Sequence, residues 1–240
     1  MTVVSVTRDY GLALRQVALS HGGRRFLGPL SLDVAPGEVV TVMGPSGCGK
    51  SSLLAFVCGT LDPALSGAGR ILLNGADIGA RPPEQRRVGI LFQDDLLFPH
   101  LSVAGNLAFG LPPAMRDRKA RRARIEEALA EADMAEFYDR DPATLSGGQR
   151  ARVALLRTLL SEPCALLLDE PFAKLDVALR ARFRSFVFDH ARAQELPTLL
   201  VTHDPQDAAD AGGPVIEIDA AGRLLGGKQV AANQRSPQRP

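Results

Sequence analysis

The chain has 240 residues, enough for one α/β domain with a sizeable core or two small lobes sharing one, and too few for a many-domain protein. Its 28 Lys and Arg against 27 Asp and Glu leave a formal net charge of +1, so no field of the whole molecule draws it to nucleic acid or an anionic membrane. Met1 to Arg15 lacks the basic start and apolar run of a secretory signal, and no apolar stretch approaches the roughly 20 residues that span a bilayer. The expectation is a cytosolic location with Cys48, Cys58 and Cys164 as reduced thiols, since they are widely spaced and form no C-x-x-C pair.

In chain order, Leu30, Leu32 and Val34 alternate with Ser31 and Asp33, as in a half-buried strand. Ala35-Pro36-Gly37-Glu38 then turns the chain into the apolar run Val39 to Met43, which reads as a buried strand, and Ser51 to Cys58 reads as the start of a helix. Ile71-Leu72-Leu73 meets Asn74-Gly75, a dipeptide suited to the positive φ angles of a two-residue hairpin turn, which predicts an antiparallel appendage beside the main sheet. Val88 to Phe92 reads as another buried strand, after which the pattern is helical through Arg116 to Phe137 and through Gly148 to Leu160. Arg122 and Glu126 are spaced as an i,i+4 pair on a solvated helix face. Ala165 to Leu168 and Thr198 to Thr202, separated by the amphipathic stretch Val177 to Gln194, form a strand-helix-strand unit that calls for a mostly parallel sheet. From Gly227 the polar, proline-punctuated segment to Pro240 holds too little apolar content to offset the entropy of ordering it, so a disordered tail is expected over 227–240.

Three segments carry chemistry. Gly44, Pro45, Ser46, Gly47, Cys48, Gly49, Lys50 and Ser51 fit the pattern G-x-x-x-x-G-K-[S/T] between a strand and a helix. Its glycines let successive N–H groups turn toward phosphate oxygens, and the helix N-terminus adds its positive end. Lys50 supplies a point charge to the outer phosphates, and Ser51 a hydroxyl for Mg²⁺. Ala165 to Glu170 is an apolar strand ending in two acids, which sets Asp169 beside such an ion and Glu170 nearer an attacking water. In Leu145-Ser146-Gly147-Gly148-Gln149, Ser146 is an N-cap, and the two glycines at the helix start make a second anion-binding mouth. A thiol at Cys48, near a helix N-terminus, is expected to be the most reactive of the three.

Taken together, these segments resemble the ATP-binding cassette family: its Walker A loop at Gly44 to Ser51, its signature at Leu145 to Gln149 and its Walker B strand at Ala165 to Glu170. Gln93 resembles the Q-loop glutamine, Ala173-Lys174-Leu175-Asp176 the D-loop, and His203 the switch histidine. The resemblance implies an α/β fold of the P-loop NTPase, RecA-like type, with a mostly parallel sheet, an antiparallel β subdomain and an inserted helical subdomain. It places one domain over 1–226, with the core at 1–95 and 164–226 and the helical subdomain at about 96–163. It further implies ATP and Mg²⁺, the metal held by Ser51, Gln93 and Asp169, and a homodimer sandwiching two nucleotides. Each nucleotide lies between one copy's loop, Ser52 included, and the other copy's Ser146, Gly147, Gly148 and Gln149. Glu170, His203 and Gln93 are the implied catalytic residues, and Asp176 the link between sites.

Ser52 stands where the family usually has Thr, Ala173 where the D-loop usually has Ser, and His21 where an aromatic ring usually stacks on adenine, with Phe26 the other candidate. Phe92 to Val103, with Asn106 and Phe109-Gly110-Leu111, resembles the ATPases of short bacterial importers for thiamine, iron, sulfate, molybdate or polyamines. There it receives a helix of transmembrane permease subunits, which act with a periplasmic or extracellular substrate-binding protein. The expected role is thus ATP hydrolysis driving a permease, at the cytoplasmic face of the cell membrane, with no nucleic acid bound. A cassette ATPase acting on nucleic acid or the ribosome and a phosphate-loop kinase are the other readings. Balanced charge and the lack of coiled-coil heptads weigh against the first, and Leu145 to Gln149 with His203 against the second.

Overall fold

The computed structural model describes residues 11–225 apart from Lys174 and Asp176, with the side chains of Val177 and Ala178 also outside the described set. The segment 227–240 and the position of Asp176 therefore lie outside the described residues.

Two strands of one antiparallel sheet come first, β1 (Leu12–His21) and β2 (Arg24–Val34), followed by β3 (Val39–Met43) and helix α1 (Lys50–Cys58). Strands β4 (Leu65–Leu73) and β5 (Ala76–Asp77) complete that sheet in the order β2-β1-β4-β5. The β4–β5 turn is Asn74-Gly75 with φ of 50° and 78°, the conformation that the dipeptide favours. After a short helix α2 (Pro83–Arg86) come β6 (Val88–Leu91), α3 (Val103–Gly110), α4 (Arg118–Glu131) and α5 (Gly147–Leu159). The chain closes with β7 (Ala165–Asp169), α6 (Val177–Ala193), β8 (Thr198–Thr202), α7 (Pro205–Ala211), β9 (Val215–Ile218) and β10 (Leu224–Leu225).

The second sheet has the order β10-β9-β3-β8-β7-β6, parallel except for the terminal β10. Its central strands β3, β8 and β7 are buried on both faces, which explains why they read as unbroken apolar runs. Alternate residues serve opposite sides. Val40, Val42, Leu167, Leu199 and Val201 join α1 and the antiparallel sheet, whereas Val39, Leu166, Leu168 and Leu200 face Phe172, Phe183 and Phe188. A third cluster holds α3, α4 and α5 together through Val103, Leu107, Ile125, Leu129, Val153 and Leu156. Helix α5 faces two ways: Val153 and Leu156 enter the helical cluster, Ala154 and Leu155 the cluster under the sheet.

The helix expected from Arg116 to Phe137 is shorter. It starts at Arg118 because Asp117 caps it, accepting from Ala120 N at 2.7 Å, and it ends at Glu131, with a separate 3-10 turn at Ala135–Phe137. Arg122 does pair with Glu126 at 2.7 Å. No helix among the described residues is long and apolar enough to cross a membrane.

The face of the sheet under α6 rests on an aromatic triad. Phe172 meets Phe183 and Phe188 edge-on, at centroid distances of 5.8 and 5.7 Å, and all three are fully buried. Phe183→Ala is expected to cost about 3–5 kcal/mol through the cavity it leaves. Phe109→Ala, on a ring 66 % exposed, is expected to cost about 0.5 kcal/mol or less. Urea unfolding of both variants checks this, and equal midpoint shifts would contradict it.

Candidate active site

The loop between β3 and α1 owes its shape to Gly47 and Gly49, whose φ angles of 80° and 98° lie in the left-handed region. Gly49 is required a second time by packing, because a methyl there would come within 2.9 Å of the Phe26 ring. Lys50 opens α1, is 5 % exposed, and curls back to donate to Gly44 O at 2.7 Å and Pro45 O at 2.9 Å. Pro45, Ser46 and Gly47 face solvent and Ser52 is half-buried.

Cys48 points the other way. It is 2 % exposed, packed in the core beneath Gly44, which overturns the expectation of a reactive thiol: reagents cannot reach it in the folded loop. Cys58 is buried too, and burial pushes its thiol up from the usual value, which fits its expected slow reaction.

Strand β7 ends at Asp169, and Ser51 Oγ donates to Asp169 Oδ1 at 2.9 Å, joining the loop to the acidic strand. Glu170 follows with φ of 44°, a left-handed conformation that costs a non-glycine residue on the order of 1–3 kcal/mol and is held by Glu170 N donating to Val201 O. The turn aims its carboxylate between an ammonium and an imidazole: Oε1 lies 4.0 Å from Lys50 Nζ, and Oε2 3.1 Å from His203 Nδ1. His203 emerges from the end of β8, which sits between β3 and β7 in the sheet. Thus the phosphate loop, both acids and the histidine meet at the carboxyl edge of three adjacent parallel strands, where open α/β sheets bind ligands.

The donors suit a magnesium ion. Asp169 is 9 % exposed, and desolvation pushes its carboxyl up from the ordinary range. Ser51 and Lys50 offset this only in part, while Glu170 adds to it. A hard dication beside the Ser51 and Asp169 oxygens would relieve that burial, and Mg²⁺ needs few protein ligands because it keeps waters and phosphate oxygens. No cluster of three or more metal-ligating His, Cys, Asp or Glu residues occurs among the described residues. Gln93 is exposed just beyond β6 and lines a small cleft with Phe92, Asp95, Gly147, Arg150 and Leu175.

Ser146 begins α5 with a full capping box: it accepts from Gln149 N at 3.3 Å, and Gln149 Oε1 accepts from Ser146 N at 2.8 Å. Ser146 and Gly147 are exposed, Gly148 is buried, and Gln149 is intermediate. His21 is exposed at the end of β1, its backbone paired with Arg24 and Leu65, whereas Phe26 lies against Gly49 of the phosphate loop.

Several supporting residues escaped the sequence reading. Arg150 donates to Asp95 Oδ2 and Leu145 O, and Arg157 to Leu96 O and Asp95 O, so two arginines of α5 hold the segment after Gln93. Their seven-residue spacing on one helix face was the available signal. Arg180 pairs with Asp204 at 2.7 Å, and Arg184 with Asp207 at 2.8 Å. Asp207 in turn accepts from Thr202 Oγ1 at 2.9 Å, which brackets His203 with anchored neighbours. Arg184 Nε also lies 2.7 Å from Asp210 Oδ2, as an ion pair without hydrogen-bond alignment.

A carboxyl whose folded-state pKa is raised binds its proton more tightly in the folded chain, so the stability it adds is present in acid and lost as pH rises through the raised value. Asp169→Asn removes that loss. The nucleotide-free variant is expected to melt above the wild type at neutral pH, with the gap closing in acid. Thermal midpoints of both proteins across that range check the sign, and a gap independent of pH would refute it.

Comparison with known proteins agrees with this geometry. Residues 27–173 match the sequence pattern of the ABC transporter family. The chain is 49 % identical over 196 residues to the ABC transporter ATP-binding protein YnjD of Escherichia coli K12, covering 82 % of this chain and 90 % of that one. It is 48 % identical over 172 residues to the thiamine import ATP-binding protein ThiQ of Cereibacter sphaeroides, covering 72 % and 73 %. Its fold matches CbiO1 of Clostridium perfringens, part of the ABC transporter complex CbiONQ, with a TM-score of 0.77 at 28 % identity over 90 % of this chain and 87 % of that one. A phosphate loop tied to an acidic strand, a histidine facing its glutamate and a capped signature helix thus come with matching relatives in sequence and in structure, and the chain belongs to the ABC transporter family as an ATP-binding subunit.

Proposed function

We propose that the chain hydrolyses ATP to drive import through a permease. The observation that carries this reading is the meeting of Lys50, Ser51, Asp169, Glu170 and His203 at one sheet edge. The exposed Ser146 and Gly147 belong to a different element and make cap contacts only within α5. One copy thus presents a phosphate loop and, separately, an anion-binding helix mouth, the two halves that a head-to-tail dimer brings together.

In that dimer the loop amides and Lys50 hold the phosphates of ATP, with Ser46, Gly47, Gly49 and Ser52 shaping the loop. Mg²⁺ held by Ser51, Asp169 and Gln93 would offset phosphate charge. Glu170 accepts a hydrogen bond from the attacking water and turns its lone pair toward the γ-phosphate. His203, whose Nδ1 lies 3.1 Å from Glu170 Oε2, presents its other nitrogen to the phosphate side, where an N–H on that nitrogen donates. Ser146, Gly147, Gly148 and Gln149 close on the nucleotide of the other copy, and Asp176 links the two sites. His21 or Phe26 meets the adenine.

The import assignment draws on the thiamine-import relative. It brings a permease, a periplasmic or extracellular binding protein, and a place at the cytoplasmic face of the membrane. The relatives lend no support to a nucleic-acid or ribosome-directed ATPase.

Phe98 is a poorer docking residue than its neighbours. Its backbone is clasped by Asn106, and its ring is packed on Phe109 and beneath Arg157. Leu96 and Phe109 are 56 % and 66 % exposed on the same lobe and form the better docking face.

Two measurements test the proposal. Glu170→Gln is expected to bind ATP, stall hydrolysis and sediment as a dimer with ATP, whereas Lys50→Ala loses binding and stays monomeric. Moving the balance from 1:99 to 99:1 takes about 5.5 kcal/mol, which two shared nucleotides can supply. A monomer of Glu170→Gln under saturating ATP would count against the dimer. Leu96→Asp with Phe109→Asp should leave ATP binding intact and abolish recovery of the chain with its membrane fraction. Unchanged recovery would remove this face from docking.

A further inference from the structure

The two signature glycines stand in different surroundings. Gly147 is exposed, whereas Gly148 is buried against α6. A methyl built on Gly148 would overlap Leu179 Cδ2 and come within 2.8 Å of Leu179 Cγ, with Leu175 Cδ2 at 3.5 Å. Turning one Leu179 methyl aside does not by itself relieve this, since the branch carbon is also too close, while Leu175 is at ordinary contact distance. A side chain at 148 therefore displaces Leu179 from its seat or pushes α5 off α6, and close-packed helices transmit such a displacement rather than absorb it.

The part of α6 that receives Gly148 also holds the catalytic loops. Arg180, the next residue, donates to Ala173 O at 3.3 Å and pairs with Asp204, the residue after His203. One turn on, Arg184 pairs with Asp207, which accepts from Thr202 Oγ1, while that hydroxyl accepts from Asp204 N at 3.0 Å. Both flanks of His203, and the turn that follows Glu170, are thus anchored within about one and a half helical turns of the Gly148 contact.

We infer that Gly148 is a positioning residue: the space its side chain would fill is the seat of Leu179, and this joint fixes the signature end of α5 relative to His203 and Glu170 of the same chain. The inference rests on the ATPase reading above and adds to it a route within one copy, from the signature that serves one nucleotide to the acid and histidine that serve the other.

The test is a size exchange, read as steady-state ATP hydrolysis at saturating protein together with the thermal midpoint of each variant. Gly148→Ala is expected to lower kcat about tenfold or more, as small misplacements of reacting groups do, with KM for ATP little changed because Lys50 and its loop are untouched. Leu179→Ala alone should be mild. The double variant Gly148→Ala, Leu179→Ala should recover kcat to within about threefold of Leu179→Ala, since the added methyl then fits. A double variant as slow as Gly148→Ala would overturn the inference, as would a Gly148→Ala enzyme with wild-type kcat. Should Gly148→Ala fail to fold, Leu179→Phe leaves the signature intact and overfills the same seat. The same fall in kcat is expected there, and wild-type kcat in that folded variant overturns the proposal. Wild-type turnover in the same assay separates the two readings, because its absence removes the ATPase assignment and the inference with it.

Discussion

The hydrogen bond from Ser51 to Asp169 is the contact on which the rest of the molecule is arranged. It joins the first helical turn after the phosphate loop to the end of an acidic strand, across the intervening β8. Two buried or half-buried charges of opposite sign, Lys50 and Glu170, face each other beside it at 4.0 Å, with His203 completing the line. Burying such groups without partners would be costly, and the sheet order, the glycines of the loop and the left-handed turn at Glu170 together hold these groups within ion-pair range.

Outside that line the molecule is built from elements that serve two neighbours at once. Helix α5 packs with one stripe into the helical lobe and with another under the sheet, and its arginines grip the segment that follows Gln93. Helix α6 meets the signature with Leu179 and the histidine loop with Arg180 and Arg184. A displacement of the segment after Gln93 has packed, hydrogen-bonded material to travel through toward the His203 loop, without a mobile linker in the path among the described residues.

Much of this was legible in the sequence because local chemistry and global fold agree there. Asn74-Gly75 turned where its positive φ preference required, Ser146 capped its helix, and the doubly buried strands announced themselves as apolar runs. What escaped notice had weak periodicity. Helix α7 has seven residues and only alanines among its apolar ones, so nothing but Asp204 before Pro205 marked its start. Strand β9 has four residues of mixed exposure, too few to show alternation. Helix α3 holds eight, with glycines inside, and its cap at Ser102 was its one plain signal. Cys48 was misjudged because a helix N-terminus was weighed without the packing that buries the thiol. The partners of Arg180 and Arg184 lie across a tertiary contact that spacing along the chain does not encode.

Strand β3, which delivers the phosphate loop, is paired on one side with β8 and on the other with β9, both from the far end of the chain. The antiparallel sheet, by contrast, is complete by Asp77 and can close while the chain is still emerging from the ribosome. Until the last strands arrive, Val39 to Val42 has no partner on either edge, and pairing so distant in sequence is slow to form and exposed to aggregation meanwhile. A nascent or truncated chain that stops short of Thr198 carries the whole loop sequence on a strand with no neighbour to hold it. The strand that carries the glycine-rich loop is thereby held only once residues 198–218 have been made, not when the loop itself is made.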